Sequence, residues 1–322
     1  MIKRTLYFGN PAYLSLKDNQ LVIRLPEVVK NNTVTETFKK DAEATIPIED
    51  IGIVVLDNLQ ITLTHAVLNA MQQNNVAVVS CNATHHPMGL MLPLNGNTLQ
   101  NERYREQLEA TEPLKKQLWA ATVIQKIKNQ AHVLKQQGMD DSYLINLSRN
   151  IKSGDSEGGE ATAASHYWSN IFKPLKIENF KRDREGLPPN NYLNYGYSLI
   201  RATMARSIVA AGMLPTLGIH HSNRYNAYCL ADDLMEPYRP WVDALVINII
   251  KAQGLRDDLT KEIKTALLGI PVLDVMIDGE TSPLMNAMQR TAVSIYKCYT
   301  GEIRKPLYPS FAPSVQHALE GF

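Results

Sequence analysis

The sequence predicts an α+β protein, a small β-rich N-terminal domain followed by a larger all-α C-terminal domain. Up to about residue 93 the chain changes character every few positions, with short apolar and β-branched runs broken by turn residues, the signature of strands. From about Asn101 apolar residues recur instead at the three-and-four spacing of helices, and continue so to the region of residue 300. A length of 322 residues makes two domains the ordinary arrangement.

In chain order, RTLYF (4–8), AYLSLK (12–17) and QLVIRL (20–25) read as strands, with a hairpin turn at LKDNQL. TIPI (45–48) and IGIVVLD (51–57) add two more. THAVLNAMQQNN carries helical spacing with Thr64 as its N-cap, and the strands VAVVSC and GLMLPL follow it. The polar stretch LNGNTLQNE (94–102) reads as a linker between a domain over 1–93 and a helical domain over 103–303. PLKKQLWAATVIQKIKNQAHVLKQQG opens the latter with Pro113 in its first turn and Gly138 at its end, the proline-in, glycine-out asymmetry of a helix. Further helices are expected near 141–152, 158–172, 190–211, 233–253, 257–268 and 281–300. The last segment, 304–322, has three prolines and no period, and reads as an extended or mobile tail.

Hydrophobic residues make up 44% and charged residues 20%, with 33 Lys and Arg against 32 Asp and Glu. The resulting net charge of +1 offers no global attraction to nucleic acid, so a polyanion surface would have to be a local patch. Cys81, Cys229 and Cys298 are odd in number and in no CxxC spacing, which argues against a disulfide framework or a zinc knuckle and suits a reducing cytoplasm. MIKRTLYFGN lacks the apolar core of a secretory signal, and no apolar run is long enough to span a bilayer, so no membrane partner is expected. The absence of GxxxxGK[ST], of GxGxxG after a strand and of GxSxG removes nucleotide hydrolysis, dinucleotide redox and α/β-hydrolase chemistry from the leading readings.

Two segments carry the candidate chemistry. In SGDSEGGEATAASHYW, Asp155 or Ser156 can cap a helix with Glu160 one turn inside it. An acidic first turn suits the helix dipole, and the small residues around Glu160 also leave its carboxylate open to a substrate. In GIHHSNRYNAYCLADDLMEP, Asp233 and Glu236 stand three apart on one helix face, while Asp232 points about 100 degrees aside. Two carboxylates and an imidazole suit Mn2+ or Mg2+. The structural alternative makes Asp232 or Asp233 an N-cap, pairs Glu236 with Arg239, and leaves His220 and His221 as loop residues. Pro237 and Pro240 place a kink or a helix start near Glu236.

Other segments are weaker. SCNATHHPMG sets Cys81 near His85 and His86, but a fourth zinc ligand is missing. The run FKPLKIENFKRDRE, with Lys173, Lys176, Lys181, Arg182 and Arg184, reads as a solvated loop or as the local phosphate-binding patch. Tyr192, Tyr195 and Tyr197 lie with Arg201 and Arg206 on one helix, mostly at core spacing.

Taken in order, SGDSEGGEATAASHYW, PPNNYLNYGYSLIRATMARSIVAAGMLPTLGIHH and LADDLMEPYRPWVD resemble the CRISPR-associated integrase that inserts new spacers, the core enzyme of CRISPR adaptation. The opening TLYFGNPAYLSLKDNQLVI and IPIEDIGIVVLDN resemble that family's β-rich lobe, and HH with DDLMEP resembles its type II branch. The resemblance implies a divalent metal, Mg2+ or Mn2+, held by Glu160, His221 and Glu236, with Asp233 at an auxiliary acidic position and His220 as the alternative to His221. It implies attack by a DNA 3′-hydroxyl on a phosphodiester of the repeat array. Its implied partners are DNA, a second copy joined through the N-terminal domain, a small dimeric CRISPR-associated protein completing a heterohexamer, and the type II effector nuclease. Two other readings remain beside it: a structure-selective nuclease acting on branched DNA, and a non-enzymatic DNA-binding scaffold.

Overall fold

The computed structural model describes residues 3–311 except 32, 34, 36, 38, 40, 41 and 184. The chain divides into two compact units, Met1–Gly96 and Asn97–Phe322.

The first unit holds two sheets. One runs β1 (Arg4–Phe8), β5 (Ile51–Leu56), β7 (Ala77–Cys81), β8 (Pro87–Met91), parallel across the first three strands and antiparallel at the last. The other has the order β4 (Ala44–Pro47), β3 (Gln20–Arg24), β2 (Tyr13–Lys17), β6 (Thr62–Leu63). IGIVVL reads as an unbroken apolar run because β5 is the inner strand of a parallel set, buried along nearly its whole length. Asp18 and Asn19 both take positive φ, the geometry of the tight hairpin expected at LKDNQL. A single helical turn, α1 (Pro26–Val29), follows β3, and α2 (His65–Gln73) crosses between β5 and β7, its first turn capped by Thr64. Phe8, Leu14, Leu21, Ile51, Val54, Val67 and Met71 form the core of this unit.

The second unit is built on α4 (Glu112–Gln136), preceded by α3 (Gln100–Glu109). Thr111 caps α4, and Gly138 follows its end with φ +73. Against it pack α5 (Ser142–Arg149), α6 (Gly159–Asn170), α8 (Cys229–Met235) and α9 (Arg239–Gln253), and α7 (Asn190–Ala210), α10 (Lys261–Leu268) and α11 (Leu284–Tyr299) complete the helices of this unit among the described residues. Tyr192, Tyr195 and Tyr197 on α7 are buried, as their core spacing predicts.

Three features depart from the sequence reading. The C-terminal unit is mostly helical but not all-α: β9 (Asp274–Ile277) and β10 (Glu280–Pro283) pair around Asp278 and Gly279, which both adopt positive φ. The helix expected over 233–253 is two helices, α8 and α9, joined by the 3-10 turn Glu236–Tyr238, because Pro237 and Pro240 cannot continue an α-helical hydrogen-bond ladder. The described part of the tail is extended but tied down. Ser310 bridges to Met276, the Tyr308 and Thr122 hydroxyls lie 2.6 Å apart, and the Phe311 ring stacks on His132 and Trp241. The rest of the tail and Arg184 lie outside the described residues. Among the described residues no helix is long and apolar enough to cross a membrane.

Candidate functional site

Glu160 is the second residue of α6. Asp155 accepts hydrogen bonds from the first two amides of that helix, Gly159 N at 2.8 Å and Glu160 N at 2.9 Å, so of the two expected caps it is Asp155 that acts. The turn runs through Gly154 and Gly158 at positive φ, which brings Asp155 back over the helix end. Glu160 thereby leaves a fixed first turn with its side chain 33% exposed.

Glu236 leaves the 3-10 joint between α8 and α9, with its side chain only 8% exposed. Asn129 of α4 donates to Pro237 O at 2.7 Å and to Pro309 O at 3.0 Å, which fixes that joint. Arg239 Nε lies 2.8 Å from Glu236 Oε1, so the pair expected from the i, i+3 spacing is present.

The two glutamates converge on one cation. Lys126, buried on α4, reaches Glu160 Oε1 through a short hydrogen bond and lies 2.6 Å from Glu236 Oε2. That second approach is an ion pair by distance only, because Glu236 Oε2 accepts no hydrogen bond of good angle. Burial alone would neutralise both groups. Desolvation pushes the Lys126 ammonium down, but Glu236 and Glu160 outweigh it and hold the pKa above the usual lysine value. For Glu236 burial pushes the pKa up, and Arg239 and Lys126 together turn the balance downward.

The histidines sit beside this group. Asp233 accepts from the backbone amides of Ile219 at 2.7 Å, His220 at 2.9 Å and His221 at 3.3 Å, so one buried carboxylate shapes the whole loop. Its Oδ1 also lies 2.5 Å from His221 Nδ1. That bond, followed by the opposing effect of burial and the attraction of Asp233, Glu236 and Asp232, raises the His221 pKa. It also commits Nδ1 and leaves Nε2 as the nitrogen for a ligand or a phosphate. Trp119 of α4 seats both imidazoles: His220 stacks on the indole at 4.2 Å and His221 meets it edge-on at 5.6 Å. Gly218 lets the loop pass close to α8, since a Cβ there would meet Asp233 Oδ2 at 2.9 Å.

Asp232 turns aside, as the helix geometry requires, into a two-pronged pair with Arg201 at 2.6 and 3.1 Å. Neither Asp232 nor Asp233 caps its own helix; the N-cap position of α8 is Tyr228. A cleft of about 310 Å³ opens beside His221, with Lys115, Asn223, Arg224 and Asn226 in its wall. A more apolar groove of about 760 Å³ lies between α9 and α10 and includes none of these residues.

Among the described residues no three His, Cys, Asp or Glu side chains form a ready metal-binding cluster. The donor set nevertheless fits a hard divalent cation. Two carboxylates from different elements meet on one positive centre, one carries a buried oxygen short of a hydrogen bond, and an imidazole with Nε2 uncommitted lies in the same field.

Sequence reasoning missed Lys126 and Trp119. They stand two turns apart on the buried face of α4. The available signal was the run of polar residues, Thr122, Lys126, Asn129 and Gln130, at core-facing positions of that helix. The weaker motifs resolve differently. His85 pairs with Asp57 at 2.9 Å, and His86 Nδ1 lies 2.9 Å from Thr84 O, so SCNATHHPMG is a structured turn. Arg182 is committed to Asn190 and Asn194 at 2.9 and 2.6 Å, while Lys173, Lys176 and Lys181 stand at the surface.

Similarity to known proteins places the chain among CRISPR-associated proteins. The family model described as CRISPR associated protein Cas1 matches residues 6–270, and the chain belongs to that family, as the ordered motifs predict. It is 31% identical to the CRISPR-associated endonuclease Cas1 of Neisseria meningitidis serogroup C (strain 8013), over 99% of this chain and 100% of that one. It is 28% identical to a Cas1 endonuclease of Pyrobaculum aerophilum over 78% of this chain and 88% of the relative. The fold is similar to that of a casposase bound to integration product, with a TM-score of 0.72 at 20% identity, covering 100% of this chain and 96% of the casposase. It is also similar to a Cas1 protein from Thermotoga maritima, with a TM-score of 0.68 at 17% identity over 92% and 97%.

Proposed function

We propose that this protein is a metal-dependent DNA strand transferase that joins the 3′-hydroxyl ends of captured DNA fragments to phosphodiesters of a CRISPR repeat array. The carrying observation is the convergence of Glu160 and Glu236 on one buried cation, beside a His221 oriented by Asp233. Membership of the Cas1 family, the endonuclease naming of relatives and the integration product in the casposase structure support this reading.

Glu160, Glu236 and Nε2 of His221 would hold Mg2+ or Mn2+, which when bound supplies positive charge to the nonbridging oxygens as phosphorus passes through its transition state. Asp233 keeps His221 in a single ring orientation. In the transfer, the attacking 3′-oxygen loses its proton and forms a new P–O bond while the bridging P–O bond to the leaving 3′-oxygen breaks. The leaving oxygen takes up a proton, and no nucleotide is hydrolysed. The cleft walled by Lys115 and Arg224 lies where a phosphate backbone would be attracted, and the surface residues Lys173, Lys176 and Lys181 form a further candidate grip on DNA.

The same residues would cut rather than join if water replaced the 3′-hydroxyl, and the endonuclease naming of relatives favours that second reading. Assembly follows the family expectation: a homodimer through the N-terminal unit, two dimers flanking a dimeric small partner in a heterohexamer, with the type II effector nuclease as a further partner. A solved Cas6-RT-Cas1–Cas2 complex, TM-score 0.69 at 19% identity, contains this fold together with Cas2 and supports the small-partner part of that reading. The test is product identity. Labelled DNA ends incubated with a supercoiled repeat plasmid, Mn2+, the protein and its small partner should yield plasmid-joined label; free cut ends without joining would support the nuclease reading instead.

A further inference from the structure

The acids of the candidate site are already neutralised by the protein itself. Glu160 and Glu236 share Lys126, Glu236 also faces Arg239, Asp232 is paired with Arg201, and Asp233 with His221 and three amides. These four carboxylates therefore stand against three permanent cations, Lys126, Arg201 and Arg239, with the His221 imidazole beside Asp233. A divalent ion entering this group would meet two unit charges of like sign at the oxygens it must take, those of Lys126 and Arg239. The Lys126 ammonium occupies the junction between Glu160 and Glu236, and it cannot simply withdraw along α4, because its stem is buried among packed helices. The charge that would restore balance is a phosphodiester, which could receive the displaced ammonium and share the cation.

Resting on the metal-dependent reading above, we propose that Lys126 is a resident counter-ion that positions Glu160 and Glu236 and makes divalent-metal uptake depend on DNA. Without DNA the ammonium holds the two carboxylates together and competes for them. With a DNA phosphate against the open side of the junction, where the Glu160 side chain is 33% exposed, the ammonium transfers its pairing to the phosphate, and the carboxylates are released to the metal. Lys126 is thus a positioning residue and an electrostatic gate.

The test is Mn2+ affinity of the full chain, from the EPR signal of free Mn2+, with and without a short branched DNA whose own Mn2+ binding is subtracted. The wild-type protein should bind Mn2+ about tenfold or more tightly in the presence of DNA, the scale expected from one unit charge at close range in a protein interior. Lys126→Met should bind Mn2+ without DNA about as tightly as wild type does with it, and should show little further gain on adding DNA. An equal wild-type affinity with and without DNA overturns the proposal, even if the variant does not fold. An unchanged affinity in folded Lys126→Met overturns it too. Glu160→Gln separates the two readings. If Mn2+ binding survives it, the site assignment fails and the coupling with it; if binding needs Glu160 yet ignores both Lys126 and DNA, the coupling alone fails.

Discussion

At the scale of single residues, the site is an exercise in keeping charges inside a protein. Lys126 and Glu236 are both buried and both ionised, which is tolerable only because each has a partner of opposite charge beside it. Removing one partner leaves the others uncompensated. Lys126→Ala should therefore lower the stability of the metal-free protein by about 3–5 kcal/mol in chemical denaturation. A buried acid held by hydroxyls behaves differently. Asp243 accepts hydrogen bonds from the Tyr167 and Tyr197 hydroxyls, and burial pushes its pKa up to about 6. A folded-state pKa raised above the unfolded value means that the native protein holds the proton longer. This contribution to stability is full below the ordinary carboxylate range and is lost as pH rises through about 6. The melting temperature of Asp243→Asn should lack that decline, by comparison with wild type across the same pH series. Glu160, His221 and Glu236 were legible as candidates from residue type and order. Lys126 was not, because a lysine in a helix reads as a solvated side chain until the neighbours that bury it are known.

At the scale of elements, the three candidate ligands are presented by joints rather than by helix middles. Glu160 sits one residue into α6, Glu236 on the 3-10 turn between α8 and α9, and His221 on the loop that Asp233 gathers. Such joints depend on capping and on close approach. Asp155→Ala should cost about 1 kcal/mol, the usual value of a helix cap, and should weaken strand transfer through Glu160 without touching the metal directly. Gly218→Ala should be more damaging. Its Cβ would strike the loop backbone at His221 and the Asp233 carboxylate, so the variant should lose strand transfer as severely as His221→Ala while its far-ultraviolet circular dichroism remains near wild type. The sequence reading was strongest where one element has one periodicity, as in β5 and α4, and weakest at joints. Pro237 and Pro240 announced a break without fixing its place, and the DG turn at Asp278 and Gly279 lies in the stretch left unassigned between the helices expected near 257–268 and 281–300.

At the scale of the whole molecule, a net charge of +1 hides a strongly partitioned surface and interior. Several of the charges cancel in buried or half-buried pairs around the candidate site, so DNA binding must draw on exposed cations elsewhere. Replacing Lys173, Lys176 and Lys181 with glutamine should weaken DNA binding similarly across sequences, and should reduce the slope of log affinity against log salt by about one for each phosphate no longer neutralised. Anisotropy titrations at several salt concentrations measure this; an unchanged slope assigns the grip to other residues. The division into a β-rich and a mainly helical unit is readable because the hydrophobic period changes from two to three-and-four close to Gly96, where the first unit ends. The convergence of residues 126, 160, 221 and 236 was not readable from spacing, since it depends on how four separate segments pack.

On the function proposed above, Glu160, His221 and Glu236 form one metal-dependent site for DNA strand transfer. The most direct measurement is the single-turnover rate of joining a labelled branched DNA in Mn2+, for wild type, Glu160→Gln, His221→Ala and Glu236→Gln, each repeated in EDTA. Every variant should fall at least about a hundredfold, as removal of a group stabilising the transition state does, and EDTA should abolish the wild-type rate. A variant that joins DNA at the wild-type rate, or joining that persists in EDTA, would contradict that function.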